Sequence, residues 1–233
     1  MAEVIPAILE KDFPEIEKKI RLVEGLVSWV QIDLADGTLV PNTTFLDPQP
    51  FMPLIKHMCH PELVSGSKGM PDQVRHDLSV NFELHLMVKD PLKYIEPFAK
   101  SGFKRFFAHV EGEKVEEYIE ECNRLDVEIG LAIDGPTSWE AIHKYLDDID
   151  AVLVMAIEAG FSGRPFREDT VEKIRKIREI DLEIPIAVDG AMTPENAAKV
   201  VAAGATRINS NSYIFNSPDI KEAIEKLENL PYG

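Results

Sequence analysis

Trp29-Val-Gln-Ile-Asp-Leu-Ala-Asp-Gly37 runs from an apolar, β-branched stretch into acidic and turn-forming residues, with the carboxylate of Asp33 near its close. The layout recurs twice: His85-Leu-Met87 ends a stretch that begins at Phe82, and Val188-Asp189-Gly190 ends one that begins at Ile184. Polar side chains that close strands at widely separated places point to a (β/α)8 barrel, because that fold gathers its reacting groups at the C-terminal ends of its parallel strands.

Working outward, short apolar runs alternate with amphipathic segments of helical period along the whole chain. The strand candidates are Val4 to Leu9, Trp29 to Asp33, Phe82 to Met87, Arg105 to Val110, Glu128 to Ile133, Ala151 to Met155, Ile184 to Val188 and Arg207 to Asn209. Asp12 before Phe13-Pro14, with Glu15 following, is start chemistry for a helix, as is Thr193-Pro194-Glu195. Gly102 and Gly204 fit helix C-terminal positions. Strands separated by helices run parallel with right-handed crossovers, and eight of them close most readily into a barrel; an open doubly wound sheet is the rival. Trp29 and Phe107 read as core. Lys173, Arg175, Lys176 and Arg178, interspersed with acids, read as a solvated helix face.

The 233 residues, 45% of them apolar, suffice for one barrel domain spanning 1–233. A formal charge of −16 disfavours nucleic acid and anionic membranes as partners, since both are bound largely through Lys and Arg. No apolar run approaches the roughly 20 residues that cross a bilayer. The first residues, Met1 to Asp12, lack the pattern of a signal peptide, and two cysteines are too few for a disulfide framework, so a reduced cytoplasm is expected. The stretch 59–78 breaks the rhythm, being polar and punctuated by Gly and Pro, and its wording resembles a translated mobile palindromic repeat. It is expected to be a tolerated loop insert on the barrel face opposite the chemistry. His57, His60, His76 and Cys59 match no usual zinc spacing.

Asp33 and Asp189 would approach the barrel mouth from opposite sides. Two opposed groups that can each hold a proton suit an epimerase, which removes a proton beside a carbonyl from one face and returns it on the other. His85 adds an imidazole, so a divalent cation bound by these three would polarise the carbonyl. Each residue alone is better explained as a cap, a turn or a core histidine; all three at strand ends favour a site. Asp36-Gly37 reads as turn chemistry. His109, Glu111 and Asp134 lie at the correct face without an evident partner and are left as pocket lining.

The chain resembles the ribulose-phosphate 3-epimerase family over nearly its whole length apart from the insert. Gln31-Ile-Asp-Leu-Ala-Asp-Gly-Thr-Leu-Val-Pro-Asn42 is similar to the family's His-x-Asp-x-Met-Asp-Gly-x-Phe-Val-Pro-Asn, and His85-Leu-Met87 to its His-Leu-Met. Met155 through Phe166 is similar to Met-Ser-Val-Asn-Pro-Gly-Phe-Gly-Gly-Gln-x-Phe, Val188-Asp-Gly-Ala191 to Val-Asp-Gly-Gly, and Pro6-Ala-Ile-Leu9 to Pro-Ser-Ile-Leu. The resemblance implies a (β/α)8 barrel that inverts C3 of a ketose phosphate, D-ribulose 5-phosphate to D-xylulose 5-phosphate, with Asp33 and Asp189 as acid and base. It also implies a divalent ion (Zn, Mn, Mg or Fe) held by Asp33, His85 and Asp189, and a small sugar phosphate as partner, in a protein that can form homo-oligomers.

The departures shape the expectation. Gln31 stands where the family has its first metal-ligand His, and a neutral amide is a poorer zinc ligand, which favours a harder ion or none. Ala7 replaces an active-site Ser and Ala35 a methionine, while Met87 and Met155 remain as pocket lining. For the phosphate, the resemblance implies the loops carrying Gly160, Phe161, Ser162, Gly163, Gly190, Ala191, Asn211 and Ser212. Ala191 and Asn211 stand there for glycines, and Arg164 is the candidate to compensate through a bidentate contact. The alternatives are a different ketose substrate and a non-catalytic sugar-phosphate binder that lost its metal.

Overall fold

Side-chain alternation along eight short strands decides the architecture of the chain, seen in a computed structural model that describes residues 2–59, 80–160 and 163–230. The strands are β1 (Glu3–Ile8), β2 (Trp29–Ala35), β3 (Asn81–Met87), β4 (Arg105–His109), β5 (Glu128–Ile133), β6 (Ala151–Met155), β7 (Ile186–Asp189) and β8 (Arg207–Ser210). Each pairs in parallel with the next, and β8 returns to β1, so the sheet closes and the open doubly wound alternative falls away. Among the described residues, the helices are α1 (Phe13–Val23), α2 (Phe51–Cys59), α3 (Leu92–Ser101), α4 (Val115–Leu125), α5 (Glu140–His143), α6 (Asp169–Ile180), α7 (Pro194–Ala203), α8 (Ser212–Phe215) and α9 (Ile220–Glu228).

On β2, Val30, Ile32 and Leu34 join the large apolar layer between sheet and helices, whereas Gln31, Asp33 and Ala35 face the barrel interior. The period-two rule repeats on β3, where Phe82, Leu84 and Leu86 face outward and Glu83, His85 and Met87 inward. Inside, Phe107, Leu153, Met155 and several alanines form a smaller apolar cluster. Gly130 makes room for the Phe107 ring, because a Cβ there would lie 2.2 Å from it.

The helix termini follow the local chemistry. Asp12 and Thr193 accept hydrogen bonds from the backbone N–H of Glu15 and Asn196, and Gly102 and Gly204 close α3 and α7 in left-handed conformations. The seventh strand begins two residues later than expected and ends on Asp189, which takes a ladder position opposite Met155 and Asn209.

One expectation on α6 is corrected. Lys173 is buried, and its ammonium donates to the carbonyls of Asp134 and Gly135. It sits on the stripe shared with Thr170, Ile174 and Ile177, so its stem packs while its charge reaches loop carbonyls. Arg175 and Lys176 do lie on the exposed face beside Glu172, while Arg178 reaches the carbonyl of Gly204. Apart from Cys59, which ends α2, the expected insert lies outside the described residues, as do His60 and His76.

Candidate active site

The β2–β3 register sets Asp33 opposite His85, and β7 brings Asp189 to the same end of the barrel. His85 Nδ1 lies 2.9 Å from Asp33 Oδ1 and 3.9 Å from Asp189 Oδ2. Ligand atoms of the three residues fall within 4.8 Å of one another. Two carboxylates and one imidazole, with room left for substrate, are a donor set that fits a catalytic divalent ion.

The electrostatics are those of two acids sharing one dry place. Burial raises the Asp33 carboxyl to about 7 against the pull of a Gln31 hydrogen bond. Burial and then the charge of Asp33 raise Asp189 to about 7. Burial pushes His85 down to about 3, so its imidazole is neutral and able to offer a lone pair. Groups poised near neutrality are what proton transfer at physiological pH needs.

The expectation for His109, Glu111 and Asp134 is corrected, because all three have partners. His109 Nε2 meets His85 Nε2 at 2.9 Å, and its Nδ1 meets Glu111 Oε2 at 3.0 Å. Glu111 also accepts from the backbone N–H of Asp134 at 2.8 Å. Burial alone would raise the Glu111 carboxyl, but bonds from His109, Thr137 and that N–H hold it down to about 2. An ionised Glu111 fixes the proton on His109 Nδ1, His109 Nε2 then accepts from His85 Nε2–H, and His85 Nδ1 is left with its lone pair toward the two aspartates. Asp134 Oδ1 ties two loops together by accepting from Gly135 and Ala159. His109→Leu is expected to weaken divalent-cation binding about 10- to 100-fold, as loss of an outer partner typically does. His109→Gln, whose carboxamide oxygen can accept from His85, should recover most of it in a Mn2+ titration.

A cavity opens above these groups, lined by Asp33, His85, Met87, Met155 and Asp189 and by the loops carrying Gly160, Gly163, Gly190, Ala191, Asn211 and Ser212. Gly190 is required sterically, with φ +104° and a Cβ position only 2.4 Å from Ile157. Ala191 follows at φ +53°, adopting the conformation a glycine would take at a cost of about 1 kcal/mol. Its carbonyl is anchored by Thr193 N–H and Asn196 Nδ2. Arg164 pairs with Glu158 at 3.1 Å and is not among the lining residues. Phe161 and Ser162 lie outside the described residues. Ala7 is fully buried on β1 opposite Gln31 and does not reach the cavity.

Below the cavity runs a buried polar chain absent from the sequence reading. Gln31 Nε2 donates to Asp33 Oδ1 at 2.7 Å and to Asp189 Oδ2 at 2.6 Å. Its Oε1 accepts from Asn209 at 2.6 Å, Asn209 also donates to Glu83 at 3.0 Å, and Glu83 receives Arg105 at 2.7 Å. In this orientation Gln31 offers N–H, not oxygen, to the space a cation would occupy. Period-two alternation was the available signal, since Glu83 lies two residues before His85 and Arg105 four before His109.

The fold and the strand-end acids thus define a (β/α)8 barrel with a buried cluster of two carboxyls and an imidazole beside its cavity. The sequence pattern of the Ribulose-phosphate 3 epimerase family matches residues 61–215, and the chain belongs to that family, whose reactions are isomerisations. It is 30% identical to the ribulose-phosphate 3-epimerase of Synechocystis, over 97% of this chain and 93% of that protein. The Bacillus subtilis protein of the same name is also 30% identical, over 97% and 98%. The 3-keto-L-gulonate-6-phosphate decarboxylase structure from Vibrio cholerae shares the fold, with a TM-score of 0.70 at 11% identity and 98% coverage of both chains. Among the described residues no helix is long and apolar enough to cross a membrane.

Proposed function

We propose that the chain interconverts D-ribulose 5-phosphate and D-xylulose 5-phosphate by inverting C3, with Asp33 and Asp189 exchanging the C3 proton from opposite faces. The observation that carries this reading is the pair of buried carboxyls, both raised to about 7, facing one cavity beside a neutral imidazole. One carboxyl takes the proton from C3, leaving an enediolate, and the other, protonated, then returns one to the far face; near neutrality the pair holds the single proton this requires. A divalent ion held by Asp33, His85 and Asp189 would supply charge stabilisation for the enediolate. With two oxygen donors and one nitrogen, the site suits Mn2+ or Mg2+ as well as Zn2+ or Fe2+. Met87 and Met155 give an apolar cushion, while the backbone at Gly190 and Ala191 and the Asn211 and Ser212 side chains line the rest of the cavity and are assigned to the phosphate.

Incubation with ribulose 5-phosphate in D2O tests the reading. Deuterium should enter at C3 of both epimers, the rate should fall about 10²-fold or more after chelation, and readdition of Mn2+ or Zn2+ should restore it. Binding of the sugar phosphate without any C3 exchange would rule the epimerase out and leave a binder.

A further inference from the structure

Resting on the metal-assisted reading of this same site, we infer that Arg105, Glu83 and Asn209 lock the Gln31 carboxamide as a donor to both reacting carboxylates, making Gln31 a built-in competitor of the cation. The direction of the amide follows from the floor of the barrel upward. Arg105 is buried over the Trp29 ring and donates to Glu83 Oε2 at 2.7 Å and Glu128 Oε2 at 2.6 Å. Burial pushes the Glu83 carboxyl up while the always-charged Arg105 guanidinium bonded to it pulls it down, and as the anionic half of this ion pair Glu83 accepts on both oxygens. The Asn209 atom 3.0 Å from Glu83 Oε1 is therefore Nδ2, and the Gln31 atom 2.6 Å from that Nδ2 is Oε1. Nε2 is left to point at Asp33 Oδ1 and Asp189 Oδ2.

A second observation supports this orientation. Asn209 Oδ1 is buried without a hydrogen-bond partner. Turning Asn209 over would set that oxygen against Glu83 Oε1, acceptor against acceptor, which costs more than leaving a carbonyl unpaired. The orphaned oxygen is thus what the chain tolerates to keep the amide sequence in register.

The consequence falls on the cation. Asp33 Oδ1 and Asp189 Oδ2, at 2.9 and 3.9 Å from His85 Nδ1, are also the two oxygens that Gln31 occupies with its hydrogens. To present oxygen instead, Gln31 must turn half a revolution, which would bring its Nε2 against Asn209 Nδ2, donor against donor. Asn209, Glu83 and Arg105 are positioning residues for this lock.

The test uses the full chain and Mn2+. Asn209→Val removes the donor that pins Gln31 Oε1, and should tighten Mn2+ binding about tenfold, whereas the same substitution in a Gln31→Leu background should leave affinity unchanged. Independently of any metal, the Gln31 carboxamide protons of [15N]Gln-labelled protein, assigned by their loss in Gln31→Leu, should be shifted downfield and protected from solvent exchange. Weaker Mn2+ binding in Asn209→Val, an equal effect in both backgrounds, or freely exchanging Gln31 protons at ordinary positions would each overturn the lock. Protected Gln31 protons in a protein that binds no Mn2+ in any variant would uphold the lock and bring down the metal-assisted reading instead.

Discussion

Asp33→Asn or Asp189→Asn is expected to lower epimerisation by about 10³-fold, the usual worth of a positioned acid or base. The two variants should fail in complementary ways. Each retains one carboxylate, which can still remove and return a proton on its own face, so each should exchange C3 hydrogen of one epimer with D2O while forming almost none of the other. The pair of variants should label opposite epimers. Mass spectrometry of recovered ribulose and xylulose phosphates reads this directly. If either variant keeps near-native epimerisation, that carboxyl does not handle the proton. If both label the same epimer, the two acids do not stand on opposite faces.

The second large effect is on stability. Asp33 and Asp189 ionise at about 7 in the folded chain against 3.8 in the unfolded one. A carboxyl whose folded pKa is raised contributes its stability below the unfolded pKa and loses it as pH climbs through the folded value. The metal-free protein should therefore lose stability between about pH 4 and pH 7 relative to an Asp33→Asn/Asp189→Asn variant, which has nothing to ionise there. About three units correspond to roughly 4 kcal/mol for the first proton lost, or about 10 °C in Tm for a chain of this length. The double variant should accordingly melt higher than the native chain at pH 8 and close to it at pH 4. A divalent ion should narrow the difference at pH 8, since it binds the folded dyad and not the unfolded chain. Parallel melting of the two proteins across this range would show that the dyad ionises freely, as solvated carboxyls do.

These two effects rest on residues that were readable without a structure. Asp33, His85 and Asp189 each end an apolar run, and strand ends of a parallel barrel converge whatever the loops do between them. The capping residues Asp12 and Thr193 and the terminating Gly102 and Gly204 were equally legible, because their chemistry is satisfied within a few residues. Lys173 was misread for the opposite reason. Seven of the twelve residues of its helix are charged, and only the docking of α6 on the sheet decides which of those charges is covered.

The interior polar chain shows the limit more sharply. Gln31, Glu83, Arg105 and Asn209 come from four strands, and nothing local marks them as partners. Their bonds exist because the barrel closes with a particular stagger, setting Gln31 beside Glu83, Glu83 beside Arg105 and Asn209 within reach of both Gln31 and Glu83. The same pairing of neighbouring strands sets His109 against His85.

The sequence by itself determined the eightfold alternation, the strand-end acids and the helix ends at Asp12, Gly102, Thr193 and Gly204, since periodicity and capping are properties of neighbouring residues. Only the tertiary structure decided which way the Gln31 amide faces and which ring nitrogen of His85 is free, because a donor or acceptor takes its direction from the group across from it.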